Sequence, residues 1–331
     1  MSTIKRPSVV VPLLLLIGLT TLFVCPGIGI RWISPLDIFQ NDDLRYIFLS
    51  IRVPRTLTAF FAGGGLAVAG MIYQAVFRNP LACPHILGVS SGASLGAALC
   101  IVAGLAGSLL GLSIITLGAF AGAVGSILII CAFAWTRESN SSTLLLAGVV
   151  VATLCSGLIM FIHMIGGIHK SFQILRWIMG GVDGVSYSLL LLMLAPLSVF
   201  LGITVLFTPR LDQFLTGEEI AHSRGINVKL SRNILIISTA VAVGGIVAAC
   251  GPIGFIGIIA PHVCRMILPG IRHRLLSLCS FLLGGSFLVL ADTLARSIAP
   301  PTEIPVGIIT SLLGGPFFLV ILARQKKRYL M

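Results

Sequence analysis

The stretch Asn233–Cys250, NILIISTAVAVGGIVAAC, contains no charged side chain over 18 residues. An apolar run of about 20 residues is long enough to cross the hydrocarbon core of a bilayer as an α-helix. The run shows no strict alternation of period two, the pattern that marks the strands of a membrane barrel. It therefore predicts a membrane-spanning helix.

The composition of the whole chain agrees with a membrane location. Of 331 residues, 57% are hydrophobic and 10% are charged, and the mean hydropathy is +1.08. Soluble domains carry roughly 25% charged residues. We therefore predict an all-α polytopic membrane protein, a single transmembrane domain over residues 1–331 with about ten spans. The predicted spans cover residues 9–30, 56–77, 86–106, 109–135, 143–165, 187–208, 233–250, 253–268, 275–297 and 305–323.

The distribution of basic residues predicts the orientation. An even number of spans places both termini on one side, and 15 of the 22 lysines and arginines fall in segments on that side. Basic residues accumulate in cytoplasmic loops, so both termini are predicted in the cytoplasm. The net charge of +12 then follows from topology, and we expect no nucleic-acid partner. The apolar run that follows Lys5 and Arg6 is interpreted as the first span, because no small-residue cleavage site follows it.

Two segments in opposite halves of the chain resemble each other. TAFFAGGGLAVAG (Thr58–Gly70) and TAVAVGGIVAACG (Thr239–Gly251) share Thr, Ala and Gly at corresponding positions and begin spans that enter from opposite sides. Transporters commonly contain inverted repeats of this kind. We therefore expect an inverted internal repeat.

Several residues suggest chemistry that the rest of the sequence does not support. GxSxG occurs at Gly88–Gly92 and Gly92–Gly96, but a serine hydrolase would need a strand before the serine, so helix packing is favoured. Cys83, His85, His163 and His169 belong to no metal-binding motif, and no metal site is predicted. None of the five lysines follows a glycine, which excludes a P-loop. The eight cysteines form no CxxC pair and are interpreted as packing residues.

Two polar features bear on the mechanism of a transporter. Asp292 is essentially the one carboxylate within the spans, and Arg296 follows it four residues later on the same helix face. A locally neutralised charge argues against an ion-coupled secondary transporter. That class of protein remains the alternative interpretation.

Leu215–Arg232, LTGEEIAHSRGINVKLSR, is the longest polar insertion on the cytoplasmic side. It predicts a short helix with Glu218 and Glu219 in its first turn, whose small Ala221 and Gly225 permit a partner to approach closely.

Ordered motifs across the chain resemble the FecCD-type permeases of ABC importers for iron-siderophores, haem and vitamin B12. The resemblance extends from Arg52 to the C-terminus. The matching motifs are Arg52-Val-Pro-Arg55, Gln74 with Arg78-Asn-Pro-Leu-Ala82, Leu87-Gly-Val-Ser-Ser-Gly92, Leu144-Leu-Leu-Ala-Gly148, Gly251-Pro-Ile-Gly-Phe-Ile-Gly257, Ala260-Pro-His262, Ala291-Asp292 with Ala295-Arg296, Glu303-Ile-Pro-Val-Gly307 and Gly314-Gly-Pro316.

The resemblance implies a type II ABC importer permease of ten helices in a bacterial inner membrane. The permease is not itself an enzyme: it pairs with a second copy or a close paralogue, ATPase subunits that bind ATP and Mg, and a periplasmic binding protein. The expected cargo is a metal chelate, iron-siderophore or haem before cobalamin, with an oxyanion also open, and the fifth and tenth spans are expected to line the pathway. The resemblance assigns binding-protein docking to Arg52, Arg55 and Arg296, a cytoplasmic gate to Asn79, Leu81, Ser141 and Ser142, and ATPase coupling to residues 215–232, with Glu218, Glu219, Ala221 and Gly225.

Overall fold

The computed structural model describes residues 7–29, 32–105, 107–109, 112–135, 141–214, 227–298 and 302–329. A 3-10 turn at Cys25–Gly27, a π-helical segment at Ile47–Arg52 and a two-stranded ribbon of Ser108–Leu109 with Leu112–Ser113 join the helices. The α-helices are α1 (Pro7–Val24), α2 (Pro35–Gln40), α3 (Asp42–Tyr46), α4 (Val53–Val76), α5 (Val89–Val102), α6 (Ile114–Trp135), α7 (Ser141–Ile165), α8 (Gly167–Ile178), α9 (Tyr187–Phe214), α10 (Val228–Cys250), α11 (Ile256–Ile267), α12 (His273–Ile298) and α13 (Val306–Tyr329).

The apolar helices account for the predicted spans. Within the described ranges, 7 helical segments are long and apolar enough to cross a membrane, and three shorter apolar helices accompany them at Val89–Val102, Ile256–Ile267 and Val306–Val320. Each predicted span overlaps one of these segments, and the all-α class is confirmed. The inverted repeat stays a prediction, although both of its leading threonines, Thr58 and Thr239, are fully buried.

Helix α4 forms the centre of the bundle. Nearly all of its residues are buried, and it packs against α9, α10, α11 and α12. Glycines allow this packing: a Cβ on Gly63 would overlap the carbonyl oxygen of Gly284 on α12, and a Cβ on Gly70 would overlap that of Gly257 on α11. Small residues let membrane helices approach closely, so dispersion contacts stabilise the bundle.

Helices α5 and α6 pack in the same way. Gly92 and Gly96, which belong to the GxSxG pattern, meet Gly122 and Gly118 of α6 so closely that a Cβ would collide with the facing carbonyl oxygen. The hydroxyl of Ser94 donates to the carbonyl oxygen of Ser90 within α5, at 3.0 Å. The helix-packing interpretation of this pattern is therefore confirmed.

Two regions contain helices that the hydropathy windows did not predict. Before α4, the Ser34 side chain and Asp37 form a capping box that starts α2, and Asn41 caps α3. Helix α8 is amphipathic: Ile174 is 1% exposed, whereas Ile168 is 93% exposed. A window for continuous apolar runs misses short or one-sided helices, because their mean hydropathy is low.

Helix α12 extends from one end of the bundle to the other. Its 26 residues extend over about 39 Å. We call the end where α12 finishes and α4 begins the Asp292 end. The opposite end, where α9 finishes and α12 begins, is called the Asp212 end.

Candidate functional site

An ion-pair network lies at the Asp292 end. Nε and Nη2 of Arg55, in the first turn of α4, donate hydrogen bonds of 2.8–3.1 Å to the carboxylate of Asp292 on α12. Nη1 of Arg55 donates to Oε2 of Glu303, in the loop before α13, at 2.7 Å. The Asp292 side chain is 2% exposed and that of Glu303 is 38% exposed. Arg55 therefore ties α4, α12 and the approach to α13 together.

The other two arginines of the predicted docking set contact backbone carbonyls. Nη2 of Arg296 donates to the carbonyl oxygen of Cys25 at 2.7 Å and to the Thr293 hydroxyl at 3.1 Å. Nη1 of Arg52 donates to the carbonyls of Pro26 and Gly27. The chain entering α2 is thus held against the ends of α4 and α12.

The sequence correctly singled out Asp292 but not its main partner. The nearest approach of Arg296 to Asp292 is 4.0 Å, between Nη1 and Oδ2, whereas Arg55 makes the close hydrogen bonds. Arg55 and Arg296 are 8% and 5% exposed, so both guanidinium groups already contact this chain. Their docking role stays a prediction. Sequence reasoning assigned no role to Glu303, although its motif was recognised.

Four glycines bring the loops at this end together. Gly181 N donates to the carbonyl of Cys250 at 2.7 Å, and Gly307 N donates to that of Gly180 at 3.3 Å. Gly180 and Gly251 have positive φ angles of 68° and 66°, which favour glycine. On one side of this junction lies a cavity of about 380 Å³ lined by the Arg55 network and by the Arg176 and Asp183 pair.

On the other side of the junction lies a larger groove, which we call the α7–α13 groove. Its volume is about 970 Å³, and none of the described residues that line it is Asp, Glu, Lys or Arg. The polar groups on its walls are hydroxyls, imidazoles and a thiol. They come from Ser91, Ser94, Ser156, Ser311, His85, His163 and Cys83.

Cys83 and His85 lie in the segment between α4 and α5, and both line this groove. Cys83 is 8% exposed, and desolvation raises the pKa of its thiol. His85 lines the groove with its side chain exposed there, and partial desolvation lowers the pKa of its imidazole. Both side chains therefore favour their neutral forms near neutral pH. The described residues contain no group of three His, Cys, Asp or Glu side chains that could hold a metal ion.

The predicted gate residues lie after α4 and at the start of α7. Asn79 follows α4, and its Oδ1 accepts a hydrogen bond from the amide of Leu81 at 2.9 Å. This local bond fixes the turn and leaves Leu81 39% exposed. Ser141 and Ser142 are the first residues of α7. Their gate role stays a prediction.

The Asp212 end joins α9 to α12. Oδ1 of Asp212, in the last turn of α9, accepts a hydrogen bond from the His273 amide at 3.0 Å and pairs with Nδ1 of the same residue at 2.6 Å. On the far side of the polar insertion, Asn227 caps α10. Glu218, Glu219, Ala221 and Gly225 lie outside the described residues, so the coupling helix stays a prediction.

Comparisons with known proteins agree over nearly the whole chain. Residues 13–324 match the model of the FecCD transport family. The hemin transport system permease protein HmuU of Yersinia pestis is 39% identical over 87% of this chain and 86% of its own.

Two further relatives and one solved structure cover even more of the chain. The Fe(3+)-citrate import system permease protein YfmE of Bacillus subtilis is 34% identical over 98% of this chain and 97% of its own, and the vitamin B12 import system permease protein BtuC of Salmonella paratyphi A is 37% identical over 95% and 94%. A solved inward-facing conformation of a metal-chelate type ABC transporter matches with a TM-score of 0.87 and 31% identity, over 96% of this chain and all of that one.

Proposed function

This chain belongs to the FecCD transport family, and we propose that it is the permease subunit through which an ATP-driven importer moves an iron chelate, a siderophore complex or haem, into the cell. A periplasmic binding protein would deliver the chelate at the Asp292 end. ATPase subunits would act at the Asp212 end, where the polar insertion begins. ATP and Mg would be bound by those subunits and not by this chain.

The α7–α13 groove is the observation that carries the proposal. Its volume of about 970 Å³ lies near the top of the range of ligand sites, about 300–1,000 Å³. Its walls lack charged side chains among the described residues, so a bulky chelate would meet neither strong attraction nor strong repulsion there. A pathway must bind its cargo weakly enough to release it. Relatives named for hemin, Fe(3+)-citrate and vitamin B12 transport support metal chelates as the cargo class.

A second copy of the chain would complete the groove. Large apolar side chains are exposed along helix α7, among them Leu146, Leu154 and Met160. Leu312 and Leu319 do the same on α13. Two copies facing each other through these helices would enclose a pathway on their shared axis, as closed two-fold symmetry allows.

The arginines of the Asp292 end suit a binding protein that presents carboxylates. Arginine and carboxylate groups form strong charge-assisted hydrogen bonds, and such pairs set the register of an interface. Arg52 lies about one helical turn before Arg55, and Glu303 is the half-exposed carboxylate that contacts Arg55. An acidic partner would therefore compete with Glu303 for Arg55.

The proposal is tested with the full complex in proteoliposomes. Uptake of labelled haem, a ferric siderophore and cobalamin is measured with binding protein outside and ATP inside, and again with an ion gradient and no ATPase subunit. We expect ATP-dependent uptake of one iron chelate. Uptake driven by the ion gradient without ATPase subunits would overturn the proposal in favour of a secondary transporter.

A pair of matched variants tests the groove itself. Ser311 lines the groove, and Ser198 on α9 does not, yet each is exposed and donates its hydroxyl to a carbonyl of its own helix. We expect Ser311→Trp to slow ATP-driven uptake severalfold and Ser198→Trp to leave it unchanged. Equal effects of the two substitutions would show that the cargo takes another path.

A further inference from the structure

A second groove opens on the outer face of the bundle, between α9 and α12. Its volume is about 750 Å³, and its walls are mainly apolar, with Leu201 and Val205 from α9 and Leu275, Leu278 and Phe281 from α12. Both helices are long enough to span a membrane. The groove therefore faces the hydrocarbon region, where an acyl chain meets no cost of polar desolvation.

Two arginines stand at one end of this groove. Arg272 and Arg274 flank His273, the first residue of α12, and both side chains are exposed. Within the part of the chain that the structure describes, neither guanidinium group has an ion pair. The nearby carboxylate of Asp212 is engaged by His273. Two positive charges therefore remain available to an anion at the mouth of an apolar groove.

A buried hydroxyl in the wall of the groove also lacks a partner. Thr204 on α9 lines the groove and is 1% exposed, and its Oγ1 makes no hydrogen bond to any described residue. A buried hydroxyl without a partner costs free energy, because it has lost its hydrogen bonds to water. Because this hydroxyl is buried in the wall and does not open to the groove, the apolar side chains and the two arginines carry the site.

We propose that this groove is a binding site for one anionic phospholipid. An acyl chain would lie against Leu201, Val205 and Phe281, and the phosphate would lie between Arg272 and Arg274. A soluble phosphate compound would gain nothing from the apolar walls, and a zwitterionic lipid would gain less from the two cations. Basic pockets between membrane helices on the cytoplasmic side suit acidic head groups in this way, and the Asp212 end is the predicted cytoplasmic end.

The test uses the full-length permease with its ATPase subunits in nanodiscs of phosphatidylcholine and phosphatidylglycerol. Photoactivatable phosphatidylglycerol and phosphatidylcholine, each with the reactive group on an acyl chain, are cross-linked and mapped by peptide mass spectrometry. We expect phosphatidylglycerol to label the peptides containing residues 201–205 and 275–281 in preference to phosphatidylcholine. Equal labelling by the two lipids would overturn the proposal.

Variants separate the head-group contact from the apolar groove. Arg272→Gln and Arg274→Gln should each lower the preference for phosphatidylglycerol about fivefold, the equivalent of ~1 kcal/mol. Lys229→Gln removes an exposed cation at the same end, outside the groove, and should leave the preference unchanged. Val205→Trp fills the groove and should reduce labelling by both lipids.

An unchanged preference for phosphatidylglycerol in either arginine variant would also overturn the proposal. If the arginine variants do not fold, the salt dependence of labelling in the wild-type protein decides, because screening weakens a contact between exposed charges. A preference that does not fall as salt rises would contradict the site. Since labelling is measured without transport, this result does not depend on the identity of the cargo.

Discussion

Arg55 and Asp292 form a buried ion pair between two helices that are distant in sequence, 237 residues apart. Their side chains are 9% and 2% exposed. Removing one member of a buried pair leaves the other charged and desolvated, at a cost of about 3–5 kcal/mol. The network at the Asp292 end therefore helps to hold α4 against α12, together with the glycine contacts along the two helices.

The first prediction concerns the stability of this pair. We expect Asp292→Ala to lower the free energy of unfolding by about 3–5 kcal/mol, because Arg55 loses its main partner. Asp183→Ala breaks the exposed pair with Arg176 and should cost no more than about 1 kcal/mol. The measurement is denaturant unfolding in detergent, followed by tryptophan fluorescence. Similar losses in the two variants would contradict a special role for the buried pair.

The second prediction concerns Glu303 and the proposed binding protein. Glu303→Gln keeps the size of the side chain but removes the half-exposed negative charge beside Arg55. An acidic partner should then bind up to about fivefold more tightly, since exposed charge pairs contribute about 0.2–1 kcal/mol. Affinity for the binding protein is measured on the complex in nanodiscs.

Asp183→Asn is the matched control for this measurement. Asp183 lies at the same end but pairs with Arg176, not with Arg55. If weaker binding followed from Glu303→Gln, Glu303 itself would be part of the docking surface rather than a competitor of the partner.

The positions of the membrane-spanning helices could be predicted from the sequence, because each satisfies its own backbone hydrogen bonds and needs only a continuous apolar run. The contacts between helices could not. Asp292 stood out as a charge in an apolar span, yet nothing local indicates that Arg55, on a different helix, lies closer to it than Arg296. Likewise, Cys83 and His163 belong to no sequence motif and meet in one groove only because α7 packs beside the turn after α4. Partners from separate helices depend on tertiary packing, which a pattern of apolar residues does not encode.

The third prediction concerns the glycine contact at the centre of the bundle. Gly70→Ala should lower the free energy of unfolding by about 1–3 kcal/mol, because the new methyl group overlaps the Gly257 carbonyl and separates α4 from α11. A methyl group on Gly202 of α9 would meet no atom of the described residues within 4 Å. Gly202→Ala should therefore be neutral or stabilising by up to about 1 kcal/mol. Thermal unfolding of the two purified variants checks the direction of both changes in stability.

The fourth prediction concerns the link between α9 and α12. Asp212→Ala removes the acceptor of the His273 amide and its ring partner, so the first turn of α12 should open more often. Loss of an N-terminal cap costs about 1–2 kcal/mol, which corresponds to amide exchange about 5–30 times faster in residues 273–276.

Asn227→Ala is the control for this exchange measurement. It removes the cap of α10 at the other side of the polar insertion, where the Asn227 side chain accepts from the Leu230 amide at 2.9 Å. Hydrogen exchange followed by mass spectrometry should show faster exchange in α10 and no change in α12. Faster exchange in α12 with both variants would mean that the Asp212 contact does not specifically hold this helix.

The last prediction concerns Cys83 on the wall of the α7–α13 groove. Desolvation raises the pKa of its thiol, so the thiolate fraction near neutral pH is below that of a free cysteine. The rate of alkylation should therefore be low at pH 7 and should keep rising above pH ~8.5, the ordinary pKa of cysteine. Cys131 is equally exposed, at 8%, but does not line the groove. A pathway without cargo should admit water and small solutes, so a membrane-impermeant maleimide should modify Cys83 faster than Cys131. Peptide mass spectrometry reads both sites in one sample, and equal rates would show that water does not reach this wall.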